Sequence, residues 1–216
     1  MPAEKYSSVI SVSHLTESTY ILRFKRKNIN FEPGQHIGLG LPDYPYMRDY
    51  SIYSSETDNY IEVLIKEVSG GDLSVKLKDL EKGSLIKYDD PTGQFLIAKT
   101  NKTKKYTFFA TGTGIAPFHS FVKSYPNLDY FLFHGVRYEK EAYGRIEYEV
   151  PKYCLITSQD TETQFRQRIP DYLRTNTMDT SGDFYLCGNG NMIYEVNEIL
   201  QNMGVPTERI FFEIYF

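Results

Sequence analysis

Across the first hundred residues, apolar side chains come in short runs or alternate with polar ones, which is the period of a strand. Such runs fall at residues 8–12, 19–24, 37–41, 50–54, 60–67, 85–88 and 95–98. Turn signals separate them at Pro33-Gly34, Leu41-Pro42-Asp43, Thr57-Asp58-Asn59 and Glu81-Lys82-Gly83. One helix interrupts the series at residues 73–80, where Leu73, Leu77 and Leu80 share a face. Many short strands with frequent turns predict a barrel or sandwich. The polar, basic stretch 99–105 then breaks the pattern and is the best linker candidate. Beyond it, strands alternate with helices: strand 106–110, a helix from about Ala116, strand 130–134, a short helical piece near Ile146, strand 153–157, a helix at 165–174, strand 184–186, a helix at 192–203 and strand 210–214. That rhythm predicts a parallel sheet wrapped by helices. The expected chain is a β-barrel followed by a nucleotide-fold domain, with no internal repeat.

A length of 216 residues accommodates two modest domains, and 41% hydrophobic residues are enough for their cores. There are 19 Tyr and 14 Phe but no Trp, an aromatic excess that suits stacking on flat ligands. A net charge of −4 and a pI near 5.6 argue against nucleic acid as a partner. The charge is spread evenly along the chain, so local patches such as Lys25-Arg26-Lys27 would have to provide any docking field. The two cysteines, Cys154 and Cys187, lie in apolar strand-like runs, so no disulfide framework is expected and a reducing cytoplasm is the natural location. Two thiols are too few for an iron–sulfur cluster, which takes four ligands. His14, His36, His119 and His134 have no metal-ligand spacing. No apolar run reaches membrane-spanning length and the first residues lack a signal-peptide core, so a soluble protein without membrane insertion is expected.

Four segments carry chemistry. In Arg48-Asp49-Tyr50-Ser51, strand alternation puts Arg48 and Tyr50 on one side and Ser51 on the other. Such a set can hold a phosphate on the arginine, cover a flat ring with the tyrosine and reach a polar ring edge from the serine. In Val68-Ser69-Gly70-Gly71-Asp72-Leu73-Ser74, a strand meets a helix through glycines, offering free N–H groups and the Ser74 hydroxyl. Strand 106–110 runs into Thr111-Gly112-Thr113-Gly114-Ile115-Ala116-Pro117, where glycines allow close backbone approach and Pro117 fits a first helical turn. Strand 184–186 ends in Cys187-Gly188-Asn189-Gly190-Asn191-Met192, and a small thiol at a strand's carboxyl end can sit against a planar ring without crowding it. Two phosphate-compatible helix starts suggest two nucleotides on one chain.

Taken in order, these segments resemble the ferredoxin–NADP reductase superfamily, and more nearly its compact bacterial ferredoxin or flavodoxin reductases than its plant members. Glu32-Pro33-Gly34-Gln35-His36-Ile37 resembles the family's Pro-Gly-Gln strand entry, and Arg48-x-Tyr50-Ser51 its flavin motif. Gly71-Asp72-Leu73-Ser74 resembles the flavin-pyrophosphate turn, and Pro91-Thr92-Gly93-Gln94-Phe95 the closing barrel strand. The glycine turn at 111–117 and Cys187-Gly188-Asn189-x-x-Met192 resemble the two pyridine-nucleotide motifs, with Gly135-Val136-Arg137 between them. The ending Glu213-Ile214-Tyr215-Phe216 is similar to that of the compact bacterial reductases.

The resemblance implies a six-stranded antiparallel Greek-key barrel binding FAD over residues 1–98 and a Rossmann-like parallel α/β domain binding NADP(H) over 99–216, with NAD(H) as the alternative. It assigns the flavin to Arg48, Tyr50, Ser51, Ile52, Tyr53, Gly71, Asp72, Leu73, Ser74, Tyr215 and Phe216. The nicotinamide nucleotide falls to Thr111, Gly112, Thr113, Gly114, Ile115, Ala116, Pro117, Arg137, Ser158, Arg166, Arg168, Cys187, Gly188, Asn189 and Met192. Hydride transfer would occur near Ser51 and Cys187, with Glu213 handling protons, Tyr50 and Tyr215 covering the two ring faces and Phe216 on the adenine. The arginine that many NADP-specific relatives carry after the third sheet strand is absent from Ile156-Thr157-Ser158-Gln159-Asp160, while Arg168, with Arg166 nearby, remains.

The implied protein is a monomeric ferredoxin/flavodoxin–NADP(+) reductase-type flavoenzyme (EC 1.18.1.-), exchanging single electrons with a separate ferredoxin or flavodoxin. The alternatives are an NADH-dependent reductase component feeding an oxygenase and a non-catalytic nucleotide-binding module.

Overall fold

The computed structural model describes residues 5–68, 70–97, 104–161 and 166–215. The chain divides into two units, Met1–Ile97 with Ala116–Ser124, and Ala98–Ile115 with Tyr125–Phe216. One helix from the second half of the sequence therefore packs with the first unit.

In the first unit, β1 (Lys5–His14), β2 (Thr19–Lys25), β3 (His36–Gly40), β4 (Arg48–Ser51), β5 (Tyr60–Lys66) and β6 (Leu85–Tyr88) form one sheet in the order β4-β3-β6-β1-β2-β5. Every pairing is antiparallel. The sheet closes because Ile52 bridges Val63 and the Tyr53 N–H donates to the Glu62 carbonyl at 2.7 Å, which removes both free edges. Alternation gives the barrel its core: Tyr20, Leu22 and Phe24 of β2 point inward with Ile37, Leu39, Ile61, Val63, Ile65 and Ile86. Helix α1 (Leu73–Lys78) buries Leu73 and Leu77 against it.

Residues 95–97 are not a strand, although their apolar run predicts one. Pairing ends at Thr92, which bridges His36, and Gly93 (φ +117°) turns the chain. The Phe95 ring lies among Phe118 and Phe121 of α2 (Ala116–Ser124). Gly34 (φ +93°) lies beneath this crossing, where a Cβ would stand 1.9 Å from the Phe95 carbonyl oxygen.

The second unit is a parallel sheet of β7 (Lys105–Thr111), β8 (Asp129–Val136), β9 (Tyr153–Thr157), β10 (Asp183–Asn189) and β11 (Ile210–Tyr215), in the order β11-β10-β7-β8-β9. The direction of winding reverses between β7 and β10, the switch point at which open α/β sheets form a ligand crevice. On one face, Phe109, Phe133, Ile156, Phe184 and Leu186 pack with α3 (Ile169–Thr175) and α4 (Gly190–Asn202). On the other, the rings of Tyr106, Phe108, Tyr130, Tyr185 and Phe211 lie against one another.

Local chemistry moves several boundaries. Helix α3 starts at Ile169 rather than 165 because Pro170 occupies its first turn, where a missing N–H costs nothing. The piece near Ile146 is a single 3-10 turn, Arg145–Glu147, with Ile146 97% exposed and therefore no apolar face to anchor a longer helix. Lys105 belongs to β7, while 99–103 of the expected linker, Phe165 and Phe216 lie outside the described residues.

Candidate active site

Strand β4 consists of the four residues Arg48, Asp49, Tyr50 and Ser51, paired with β3 through Leu39↔Arg48, Gly38↔Asp49, Ile37↔Tyr50 and His36↔Ser51. Arg48 is exposed, Tyr50 is half-buried against the barrel core and Ser51 is buried. The Arg48 guanidinium makes only a long 3.4 Å bond to the Met47 carbonyl and no ion pair with any described residue. Its charge is thus available to an anion from outside the protein. Burial pushes the Tyr50 phenol up to about 12, against the opposing effect of Arg48, so its ring is neutral at physiological pH.

Beyond β4 the chain turns inward. Ile52 joins the barrel core, and Tyr53 stacks on His119 of α2 with centroids 3.6 Å apart and planes 2° from parallel. His119 Nδ1 donates to the Tyr53 carbonyl at 2.7 Å and Ser120 Oγ to the Ser54 carbonyl at 2.7 Å. Ser124 Oγ accepts from the Glu56 N–H at 2.9 Å. Helix α2 thereby fixes the exit of the strand that carries Arg48 and Tyr50.

At the 71–74 turn, Leu73 is in the core and Ser74 Oγ accepts from the Val68 N–H at 3.3 Å. Asp72 accepts from Lys76 Nζ at 2.7 Å and from the Tyr44 hydroxyl at 2.8 Å, and these bonds, Lys76 first, hold its carboxyl below the usual range. Lys76 and Tyr44 are charged and aromatic neighbours of this turn that the sequence motif does not contain.

In the second unit two glycine turns interlock at the switch point. Thr111 Oγ1 accepts from the Asn189 N–H at 2.8 Å. A Cβ on Gly114 would stand 2.4 Å from the Cys187 carbonyl oxygen, and one on Gly188 (φ +121°) 2.3 Å from Thr111 Oγ1. Only glycines permit this approach. Gly112, Thr113 and Gly114 begin a 3-10 turn that ends at Ile115, and Ile115, Ala116 and Pro117 are buried. Asn189 Oδ1 accepts from the Asn191 and Met192 N–H groups at 3.0 and 3.3 Å, so the start of α4 is closed by its own cap, and Met192 turns into the core.

His134 was not among the residues expected at the site. Its Nε2 donates to the Gly112 carbonyl at 2.9 Å, which leaves Nδ1 to accept from the Tyr153 hydroxyl at 2.9 Å. Complete burial lowers its pKa to about 4, so the ring is neutral and holds the turn by a fixed tautomer. A histidine 22 residues from its partner carries no local sequence signal.

Cys187, Glu213 and Tyr215 come together at the carboxyl ends of β10 and β11, where Cys187 pairs with Glu213 and Asn189 with Tyr215. The thiol is fully buried and hydrogen-bonded by the Tyr215 side chain. Burial, with Glu213 adding to it, pushes the thiol well above its ordinary range, so it stays protonated at neutral pH.

The remaining candidates lie along the carboxyl edge of the sheet. Arg137 is exposed, with no ion pair among the described residues, and its N–H donates to Glu141 at 3.0 Å. Ser158 Oγ lies 3.4 Å from the Val136 carbonyl, and Asp160 accepts from the Glu139 N–H at 2.9 Å. Arg166 bridges Thr157 at the end of β9, and Arg168 is held in ion pairs by Glu195 and Asp171.

Residues 7–97 match the family of oxidoreductase FAD-binding domains. The chain is 26% identical to the toluate 1,2-dioxygenase electron transfer component of Pseudomonas putida, over 96% of this chain and 67% of that protein. It is 27% identical to a ferredoxin–NADP reductase of Pseudomonas aeruginosa, over 91% of this chain and 89% of that one. A ferredoxin NADP+ reductase structure from Neisseria gonorrhoeae, with bound FAD and NADP, superposes with a TM-score of 0.88 at 23% identity, covering all of both chains. The match of residues 7–97, the sequence likeness over most of the chain and the barrel and parallel-sheet folds make this chain similar to the ferredoxin–NADP reductases.

Proposed function

We propose that the protein is an FAD-dependent oxidoreductase that passes hydride between NADPH and its flavin and single electrons to or from ferredoxin or flavodoxin. The observation that carries this reading is the Cys187–Glu213–Tyr215 cluster beside the interlocked glycine turns. Nucleotide binding alone needs the turns but not a buried thiol, a carboxylate and a phenol at the neighbouring strand ends. The residues present also fit both groups. Arg48 offers an uncompensated charge next to the half-buried Tyr50 ring, as a flavin nucleotide requires. The close-packed glycines give a dinucleotide backbone-level access at the switch point.

A bound flavin supplies the conversion between two-electron and one-electron transfer. The chain's own part is positioning. Arg48 holds phosphate, Tyr50 covers a ring face and Ser51 provides a small hydroxyl on the opposite face of β4. Cys187 offers an uncharged, polarizable surface, since a thiolate there would repel arriving hydride. Glu213 lies beside the thiol, where it would hold or move a proton, and Tyr215 closes the cluster by its bond to the thiol. We assign the finer activity to ferredoxin/flavodoxin–NADP(+) reductase, working as a monomer in the cytoplasm on a separate redox protein.

The test is NADPH-dependent reduction of candidate ferredoxins and flavodoxins by purified protein, followed through cytochrome c. Turnover supports the reading, and a flavin-free protein without turnover removes it. A second reading, an NADH-fed reductase serving an oxygenase, is favoured by the carboxylates around Arg168 and by the toluate dioxygenase relative.

A further inference from the structure

Arg168 belongs to a closed four-charge cluster. Its Nη1 and Nη2 donate to the two carboxylate oxygens of Glu195 at 3.0 and 3.3 Å, and its Nε to Asp171 at 3.3 Å. Arg174 completes the ring, donating to Glu195 and to Asp171 at 3.0 Å each. Two guanidinium groups are thus matched by two carboxylates. Exposed ion pairs of this kind add little to stability. All four side chains are between 28% and 55% exposed, so the cluster is open to ligands.

Its location gives the arrangement meaning. Arg166 and Gln167 are fastened to the end of β9 by the Thr157 bridge and the Gln167 N–H to Thr157 carbonyl bond of 2.9 Å. Arg168 follows at once as the first flanking residue of α3, with no cap bond from its side chain. Glu195 comes from the second turn of α4, which starts directly after β10. The cluster therefore stands at the carboxyl edge of the parallel sheet, where ligands of such sheets bind. Arg168 presents to Glu195 the paired donor geometry that it would present to a phosphate. The carboxylate and a phosphate group cannot occupy that fork together.

We infer that Glu195 sets the coenzyme preference of this chain, by occupying the Arg168 and Arg174 donors that would otherwise receive the 2′-phosphate of NADP(H). The inference rests on the reading of the second unit as a nicotinamide-nucleotide domain. With Glu195 in place, a 2′-phosphate must displace a carboxylate already bound to both arginines, and its advantage over a bare ribose hydroxyl is reduced. Asp171 stays in the variant and keeps part of the charge balance, so the gain on removing Glu195 is bounded. Glu195 is a specificity-determining residue that need not touch the coenzyme.

The experiment measures dissociation constants of NADP+ and NAD+ by calorimetry on the flavin-loaded wild type and on Glu195→Gln, Arg168→Gln and the double variant. In Glu195→Gln, NADP+ is expected to bind about tenfold tighter, because a dianionic group gains charge-assisted bonds to two freed arginines, while NAD+ is unchanged. Arg168→Gln should weaken NADP+ alone, and adding it to Glu195→Gln should abolish most of the gain. NAD+ binding serves as the folding control for every variant. An unchanged NADP+ to NAD+ ratio in Glu195→Gln overturns the inference while leaving the nicotinamide reading intact. Failure of the wild type to bind either nucleotide overturns that reading, and the inference with it.

Discussion

Gly114→Ala should separate nucleotide binding from flavin binding. The added Cβ would lie 2.4 Å from the Cys187 carbonyl oxygen, 2.6 Å from its carbon and 2.7 Å from Gly188 Cα. Ordinary contact begins near 3.4 Å, so the two turns must part by about 1 Å. Every obstructing atom is backbone, and no side-chain rotation relieves the clash. Overpacking of this kind costs about 1–3 kcal/mol. A shift of about 1 Å in an element that positions a substrate can cost on the order of 100-fold in rate, and the same shift removes the close backbone approach a nucleotide needs. Gly112→Ala is the matched control, because its Cβ would meet nothing within 4 Å and only the left-handed φ of +53° is penalised, at about 1 kcal/mol. The assays are urea unfolding followed by circular dichroism, NADP+ dissociation constants and flavin absorbance. Gly114→Ala should be the less stable variant and bind NADP+ far more weakly, with flavin content preserved in both. Equal stability and equal NADP+ affinity in the two variants would refute the claim that the turns interlock.

Three further outcomes are expected. Cys187→Ser and Glu213→Gln should keep their yellow colour and yet be reduced by NADPH at least about tenfold more slowly in stopped flow, since each disturbs a group in the hydride cluster. Arg48→Gln should lose charge-assisted bonds to flavin phosphate of about 1.5–3 kcal/mol, roughly 10- to 100-fold in FAD dissociation constant, measured by equilibrium dialysis. Buried His134 has its pKa lowered from 6.5 to about 4, so the unfolded chain binds the extra proton between those values and stability falls as pH falls through that window. Its contribution between pH 7 and 5 is about 2 kcal/mol, and His134→Gln should flatten that part of the urea-midpoint profile.

Much of the fold is legible because it is written in local periods. The alternation of β2 and β5 fixes their inward faces, and the Gly-containing junctions after β7 and β10 mark the switch point. Local reading fails where a distant partner decides. The apolar run at 95–97 is claimed by Phe118 and Phe121 instead of a neighbouring strand. The sequence places α2 after the glycine turn, yet nothing local says that His119 will stack on Tyr53 in the barrel unit.

At the candidate site, the motif residues are legible and the groups that hold them are not. Cys187 lies on β10 and Glu213 and Tyr215 on the adjacent β11. The bond from His134 to Gly112 and the grip of Glu195 on Arg168 span 22 and 27 residues and belong to no motif. Asp49, which no motif explains, faces Gly38 across the β3–β4 ladder. A Cβ on Gly38 would stand 3.5 Å from its carboxylate and 3.0 Å from that of Asp89, so the glycine makes room for both.

The central claim is that this chain carries hydride from a nicotinamide nucleotide to a flavin held by the barrel. Anaerobic titration of the purified protein with NADPH, read at the flavin absorbance, tests it most directly. The account predicts a yellow protein that bleaches on addition of about one equivalent per flavin and recovers its colour when an oxidised ferredoxin or flavodoxin is added. A protein that binds no flavin, or one that stays yellow under excess NADPH and NADH alike, would contradict it.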